Sequence, residues 1–94
     1  ATDADVTRVE LKRITIMAAD GMARAIRPSH TQFDGDIVFA VSTAKHALSG
    51  MRERSVLNLG NLAADCLARA IARGVYEAET LGRLRAYREV FAKI

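Results

Sequence analysis

The amino-acid sequence predicts an α+β domain that is not complete on its own. Two long segments carry apolar residues at helical spacing, a short β-branched run lies between them, and turn-forming residues separate the three. A chain of 94 residues is at most one domain, so we expect residues 1–94 to belong to a single domain with no internal boundary. Half of the residues are hydrophobic and 27% are charged, a globular balance that excludes a disordered chain.

The first helix is predicted from about Thr7 to Ile26. Thr7 followed three residues later by Glu10 matches a capping box, and Pro28 ends the segment because proline cannot continue a helix. Gly21, in the middle, would cost about 1 kcal/mol relative to alanine in an exposed helix. It therefore indicates either a close approach by a neighbouring backbone or a glycine that is simply tolerated, and the sequence favours neither interpretation.

A second helix is predicted from about Val56 to Glu77, and a short final helix within the basic tail from Thr80 to Ile94. Both long helices are apolar over most of their circumference, so we expect both to be mostly buried. Residues 18–26 nearly repeat as residues 63–71, each copy with an Asp and an Arg four residues apart. Similar packing demands explain this repeat more simply than a duplication does.

A strand is predicted from about Asp36 to Ser42, with a loop from Thr43 to Arg54 and the end of another strand at residues 1–4. A single strand cannot satisfy its own backbone groups, and three or more strands are the usual minimum for a stable sheet. The missing strands are therefore expected to come from another chain.

Composition argues against several classes of function. The formal charge of +3 arises from 14 Lys and Arg against 11 Asp and Glu, with the signs mixed along most of the chain, so nucleic acid is not an expected partner. Cys66 is the only cysteine, and the chain has no zinc-ligand spacing and no phosphate-binding glycine loop, so no metal and no cofactor are expected. No apolar run approaches the roughly 20 residues of a spanning helix, so no membrane partner is expected. We expect a cytoplasmic location, leaving periplasmic and secreted locations open, and Ala1 suggests a processed or truncated start.

The sharpest candidate site is Asp34-Gly35-Asp36. On extended backbone the two carboxylates lie on the same side, and the glycine between them lets another group approach closely. Such a pair can hold a cation, share a proton, or orient an amine or hydroxyl nucleophile. The residues alone favour a simpler interpretation, an Asp-Gly turn with solvated acids. Likewise, His30-Thr31 just upstream either forms a relay with the acids or supports the loop backbone.

Three segments in order carry a family resemblance: residues 1–4 (ATDA), residues 20–28 (DGMARAIRP) and residues 30–40 (HTQFDGDIVFA). This series closely resembles the small C-terminal subunit of the L-aminopeptidase/D-esterase (DmpA-like) family of self-processing hydrolases, and it is nearest to the nylon-oligomer-hydrolase-like branch. The similarity continues through residues 63–71 and 87–91, so it covers nearly the whole chain.

The resemblance implies a precursor that cuts itself once, leaving a large N-terminal subunit and a small subunit whose first residue, Thr or Ser, is the nucleophile. In the family that nucleophile stands a few residues ahead of the segment that matches residues 1–4, so it lies outside this chain and Thr2 does not take its role. The implied fold is a four-layer αββα sandwich built from both subunits. Residues 1–94 would be the C-terminal part of that single hydrolase domain, and an oligomer of such heterodimers is expected.

The same resemblance assigns the site. Asp34 and Asp36 would be the catalytic acids that orient the nucleophile and its free amine. The supporting loop would consist of His30, Thr31 and Gly35. A hydroxyl is a poor nucleophile until a base takes its proton, and an N-terminal amine held in position can be that base.

The function implied is hydrolysis of an amide or peptide, of aminopeptidase, D-esterase/amidase or oligoamide type. Ile37 and Ala44 stand where relatives often have Thr and Gly, which puts the fit of the substrate in doubt more than the reaction. Two alternatives stay open: a small basic helical module that binds nucleic acid or a partner protein, and a catalytically inactive family member.

Overall fold

The computed structural model describes residues 1–91. Its elements, in chain order, are β1 (Thr2–Asp5), α1 (Arg8–Ala25), β2 (Ser42–Ala47), α2 (Arg52–Glu77) and α3 (Tyr87–Val90). The fold is α+β, as predicted: the two long helices pack against each other, and the two strands form a small parallel sheet. The end of the predicted C-terminal helix, residues 92–94, lies outside the described residues. None of the helices within residues 1–91 is long and apolar enough to cross a membrane.

The start of α1 is set by the capping box that the sequence predicts. The Thr7 hydroxyl accepts a hydrogen bond from the Glu10 N–H (3.2 Å), and Glu10 Oε1 accepts one from the Thr7 N–H (2.8 Å). These bonds satisfy backbone donors that have no partner within the helix. The helix ends at Ala25, shortly before Pro28, which agrees with the predicted end to within one residue.

The two long helices approach each other closely at two glycines. A Cβ atom on Gly21 would lie 2.2 Å from the carbonyl oxygen of Ala64, and one on Gly60 would lie 2.3 Å from the sulfur of Met17. Real Cβ atoms do not come so close to other heavy atoms, so each position accepts only glycine unless its neighbour moves. Of the two interpretations of Gly21, the close backbone approach is confirmed.

Each long helix nevertheless buries only one face. The buried residues of the two helices are Ile14, Ala18, Gly21 and Met22 in α1, and Val56, Gly60 and Ala64 in α2. The prediction that both helices are mostly buried is therefore wrong for this chain by itself: Val9 is 80% exposed and Leu62 is 58% exposed. A helix buries only the faces against which another layer packs, and within residues 1–91 the two helices have mainly each other.

The second helix begins at Arg52, one turn earlier than predicted. Arg52 donates hydrogen bonds to both carboxylate oxygens of Glu10, at 2.7 and 3.1 Å, and to the carbonyl oxygen of Asp5 at 3.2 Å. One guanidinium thus joins the first turn of α2 to the first turn of α1 and to the end of β1. The apolar pattern starts only at Val56, so periodicity could not reveal a polar first turn that is held by long-range contacts.

The strand prediction is wrong in position. Of the run predicted as a strand, Asp36–Ser42, only Ser42 lies in a strand, because β2 occupies Ser42–Ala47 in the predicted loop. The reason is the partner: β1, at the predicted strand end near the N-terminus, pairs with β2 in parallel from Thr2, which lies opposite Ser42. The strand end predicted at residues 1–4 thus supplies one partner, and the sheet within residues 1–91 has two strands.

The repeated Asp and Arg residues form an ion pair between the two helices. Arg24 of α1 contacts Asp65 of α2, with 2.9 Å between Nη1 and Oδ1. Both side chains are more than half exposed, so this ion pair contributes little to stability. The ion pair lies where α1 and α2 contact each other.

We expect Gly21→Ala to destabilise the protein by about 1–3 kcal/mol, because the added methyl group would force the two helix backbones apart. The matched control is Gly74→Ala: that glycine also lies in a helix, but its Cβ would meet nothing within 4 Å. The control should raise stability by up to about 1 kcal/mol through helix propensity. Denaturation midpoints of the two variants measure the difference, and equal shifts would contradict the close approach.

We expect the Glu10–Arg52 contact to make the stability of the fold fall at low pH. The hydrogen bond from Arg52, followed by the one from the Thr7 N–H, lowers the pKa of Glu10 to about 2 from 4.5. Because the folded pKa is depressed, this contribution is present above pH 4.5 and is lost as the pH falls toward about 2. Glu10→Gln should therefore flatten the loss of melting temperature over that range, whereas Glu79→Gln, at an exposed position after α2, should leave its slope unchanged.

Candidate functional site

The predicted site loop folds around the Asp34 carboxylate. Asp34 Oδ2 accepts a hydrogen bond from the His30 N–H (2.9 Å), and Asp34 Oδ1 accepts one from the Thr31 hydroxyl (2.6 Å). The Thr31 oxygen in turn accepts a bond from the Phe33 N–H (3.2 Å). His30 has φ 57°, in the left-handed region that a residue other than glycine adopts only at some cost. Both oxygens of Asp34 therefore hold a tight turn closed.

These contacts keep Asp34 ionised. The Thr31 hydroxyl is the largest cause that lowers the pKa of Asp34 below its ordinary value, and backbone N–H groups of the turn act in the same direction. A carboxylate that accepts hydrogen bonds is favoured in its charged form. Asp34 is thus a fixed negative charge inside the turn.

The second acid has a different environment. Asp36 is exposed, and no hydrogen bond to its side chain is found within residues 1–91. It lines a shallow groove of about 210 Å³ between the loop and α1. The other residues that line this groove are Thr15, Ile16, Ala19, Met22, His30, Ile37 and Val38. The structure therefore separates the two predicted acids: Asp34 is used within the loop, and Asp36 is available to a further group.

The three residues predicted to support the loop differ in what they do. His30 donates its backbone N–H to Asp34, and the residue lines the same groove as Asp36. Thr31 bonds Asp34 directly. A Cβ on Gly35 would meet nothing within 4 Å, so no neighbour in the described part of the chain requires glycine there, and the space beside it is open.

Sequence reasoning did not single out the wall of the groove. Thr15, Ile16 and Ala19 come from α1, far from the Asp-Gly-Asp loop in the sequence. The sequence offered no signal for these residues, because a helix pattern does not tell which of several apolar faces meets which neighbour. Only the packed helices show that Ile16, an apolar residue, is 48% exposed in the described structure.

A larger apolar cavity of about 440 Å³ lies between the helices and the extended segment that precedes β2. Its walls are formed by Ala1, Thr2 and residues 38–41, by Leu11, Ile14, Thr15 and Ala18 of α1, and by Leu59, Leu62, Ala63, Cys66, Leu67 and Ala70 of α2. None of the side chains that line the cavity carries a formal charge, so they offer packing surface rather than acid–base groups. Among the residues that the structure describes, no group of three or more His, Cys, Asp or Glu side chains could hold a metal ion.

A comparison with models of protein families assigns the chain to a family. The model of Peptidase family S58 matches residues 1–88, which is nearly the whole length. The chain belongs to peptidase family S58. This is the DmpA-like family that the sequence resembles, and the match confirms that resemblance.

Relatives from mycobacteria agree with a peptidase family. The chain is 41% identical, over 97% of its length, to proteins named uncharacterized aminopeptidases from Mycobacterium tuberculosis and Mycobacterium bovis. It is 36% identical, again over 97% of its length, to an uncharacterized aminopeptidase from Mycobacterium leprae. The chain spans only 29% of the first two relatives and 28% of the third. No solved structure was found to match it.

We expect Thr31→Val to raise the pKa of the Asp34 carboxyl toward its ordinary value, because the hydroxyl is the main group that stabilises the charged form. Gln32→Ala, in the same turn, is the matched control, since Gln32 is not among the groups that shift Asp34. A carboxyl-carbon NMR titration of labelled aspartate measures both variants. An unchanged Asp34 pKa in Thr31→Val would show that the turn is not closed by this bond.

Proposed function

We propose that this chain is the small C-terminal subunit of a self-processed amide or peptide hydrolase whose Thr or Ser nucleophile precedes the described residues. The observation that carries the proposal is the match to Peptidase family S58 over residues 1–88. The relatives support an aminopeptidase type, since all three are so named, and they support a partner region, since the chain spans less than a third of each. D-esterase/amidase and oligoamide activities are variants of the same acyl transfer.

The proposed fold of the whole protein is a four-layer αββα sandwich completed by a larger N-terminal subunit. Three features of residues 1–91 support it: their sheet has two strands, the segment before β2 exposes Phe39 at 84%, and the helices expose large apolar side chains such as Val9. Exposed apolar surface of this extent is typical of a face that another layer covers. An oligomer of such heterodimers is part of the proposal because the family resemblance implies it.

The proposed mechanism uses the two acids in different roles. The free amine of the nucleophilic residue takes the proton of its hydroxyl, and the hydroxyl oxygen attacks the amide carbonyl. The amine of the substrate then leaves with that proton, and water hydrolyses the acyl-enzyme. Asp36, exposed at the groove, would hold the protonated amine in position, while Asp34 would keep the loop in the shape that presents Asp36. The oxyanion donors would come from the larger subunit.

The direction of the strands supports this division. Because β1 and β2 run parallel, residues ahead of Ala1 extend toward the same end as Asp36 and the loop before it. A nucleophile a few residues ahead of Ala1 would therefore be close to Asp36.

Family membership also weighs against the alternative of a nucleic-acid-binding module, for which the mixed charges offered little support.

We expect Asp36→Asn in the full-length protein to lower amide hydrolysis by roughly a hundredfold or more, because the neutral amide no longer holds the protonated amine. Its melting temperature should stay close to that of the parent, since Asp36 is exposed and makes no bond within residues 1–91. Asp34→Asn should lower both hydrolysis and melting temperature, because it weakens the turn. Asp20→Asn, at an exposed acid on α1, is the matched control and should change neither.

The same preparations test the rest of the proposal. Native mass spectrometry of the parent should find the small chain bound to a larger polypeptide of the same precursor, and the Asp36 variant should be processed more slowly. Unchanged hydrolysis in both the Asp34 and Asp36 variants would return the motif to an Asp-Gly turn with solvated acids. A parent that assembles but hydrolyses no amide, peptide or ester substrate would mark a catalytically inactive family member.

A further inference from the structure

Residues 79–91, here called the arm, fold back on the last turn of α2 and are held there by side-chain contacts. Arg88 donates a hydrogen bond to the carbonyl oxygen of Glu77 (3.2 Å), and its guanidinium lies over the Tyr76 ring, 5.4 Å from the centroid. The Tyr87 ring also contacts the Tyr76 ring, with 6.3 Å between the centroids. These contacts give the arm a defined orientation relative to α2.

The arm carries two leucines on a tight turn. Leu81 and Leu84 exchange both of their backbone hydrogen bonds, each of 3.0 Å, and Gly82 between them has φ 58°. The Thr80 hydroxyl closes the base of the turn by accepting a hydrogen bond from the Ala86 N–H (2.8 Å). Residues that exchange both bonds lie directly opposite each other and turn their side chains to the same face. The turn therefore presents two leucines side by side, and they are 79% and 77% exposed.

The arm lies at the end of the helix pair where the candidate site is found. The two long helices run in the same direction, because Arg52 of α2 bonds Glu10 near the start of α1, and Asp65 bonds Arg24 near the end of α1. The loop that carries Asp34 and Asp36 follows the end of α1. The arm follows the end of α2, so both segments start from the same end of the pair.

The second helix continues past the end of the first. α1 ends at Ala25, whereas α2 runs on from Asp65 to Glu77, a rise of about 18 Å. Val75 and Tyr76 in this last part of α2 are about half exposed, and the arm that follows exposes its two leucines. Exposed apolar surface of this kind is typical of a face that another protein region covers.

The charge at the tip of the turn limits what can cover the leucines. Arg83 lies between the two leucines, and within residues 1–91 it takes part in no ion pair. Two copies of the arm that met face to face would bring two Arg83 side chains together, which is unfavourable for like charges. A surface that fits the arm is therefore apolar at its centre and carries carboxylates at its rim.

We propose that the arm docks into an apolar pocket with an acidic rim on the larger subunit of the same precursor. The inference rests on the larger subunit of the proposed function. More than two thirds of the length of the first relatives lies outside the stretch that this chain matches, so they contain enough further chain to form such a pocket. A turn that is already ordered loses little conformational entropy on docking, which favours association. The arm would thus bind the larger subunit at the end of the helices where the candidate site lies.

A photoreactive phenylalanine analogue at position 84 of the full-length protein identifies what covers the arm. On irradiation, peptide mass spectrometry should find position 84 linked to the larger polypeptide. The same analogue at position 54, an exposed position in the first turn of α2, is the control and should not link to the same peptides. A link between two small chains, or no link at all, would overturn the proposal.

This experiment also separates the docking from the proposed self-processing. In a protein that does not cut itself, the link would join the same two regions within one chain. The docking would then hold although the processing fails. A processed protein without the link would give the opposite result.

The leucines can be tested by affinity in the processed full-length protein. Leu81→Ser combined with Leu84→Ser should raise the dissociation constant of the two subunits at least about tenfold, since burying even one leucine favours association by about that factor. Leu81→Met combined with Leu84→Met should stay near the parent, because methionine keeps the apolar contact. Size-exclusion chromatography over a dilution series in moderate urea measures both variants. An unchanged constant in the serine variant would overturn the docking.

The acidic rim has its own test in the same assay. Arg83→Glu should weaken the subunit contact more than Arg13→Glu, which changes the net charge equally at an exposed position on α1. The difference should shrink at high salt, because ions screen the charges. Equal effects of the two variants would contradict the acidic rim and with it the proposed pocket.

Discussion

The close approach of α1 and α2 is the constraint on which the rest of this structure depends. Two glycines, Gly21 and Gly60, remove the side chains that would otherwise hold the helices apart, and each faces an atom of the other helix that a Cβ would strike. Once the helices are this close, their first turns come within reach of one guanidinium. Arg52 then fixes the end of β1 as well, and the position of β1 selects which residues of the following segment become β2.

The two packed helices form only a small hydrophobic core. Within residues 1–91, six hydrophobic residues are buried, most of them small or of medium size, and many larger apolar side chains stay exposed. Such a core is part of a domain rather than a whole one, because the exposed apolar faces of α1 and α2 would need further strands or helices to cover them. Membership in peptidase family S58, with relatives more than three times as long, agrees with that physical picture.

The two acids of the candidate site differ in their surroundings. The Asp34 carboxylate is fully engaged by its own turn, and this engagement lowers its pKa. Asp36 is only two residues further along the chain, yet it lies at the groove with an exposed carboxylate. Two identical side chains in one short motif thus have unequal chemistry, and the difference comes from a threonine hydroxyl and a backbone N–H rather than from the acids themselves.

Several features could be read from the sequence alone because their causes are local. The capping box at Thr7, the end of α1 before Pro28 and the two long helices depend on neighbours within a few residues, and family membership depends on the order of motifs. The start of α2 at Arg52, the place of β2 and the separate roles of Asp34 and Asp36 depend on groups that only folding brings together. β2 is the clearest case: Ile37–Val41 has the better strand composition, but Ser42–Ala47 is the segment that β1 reaches, because a strand is defined by its partner.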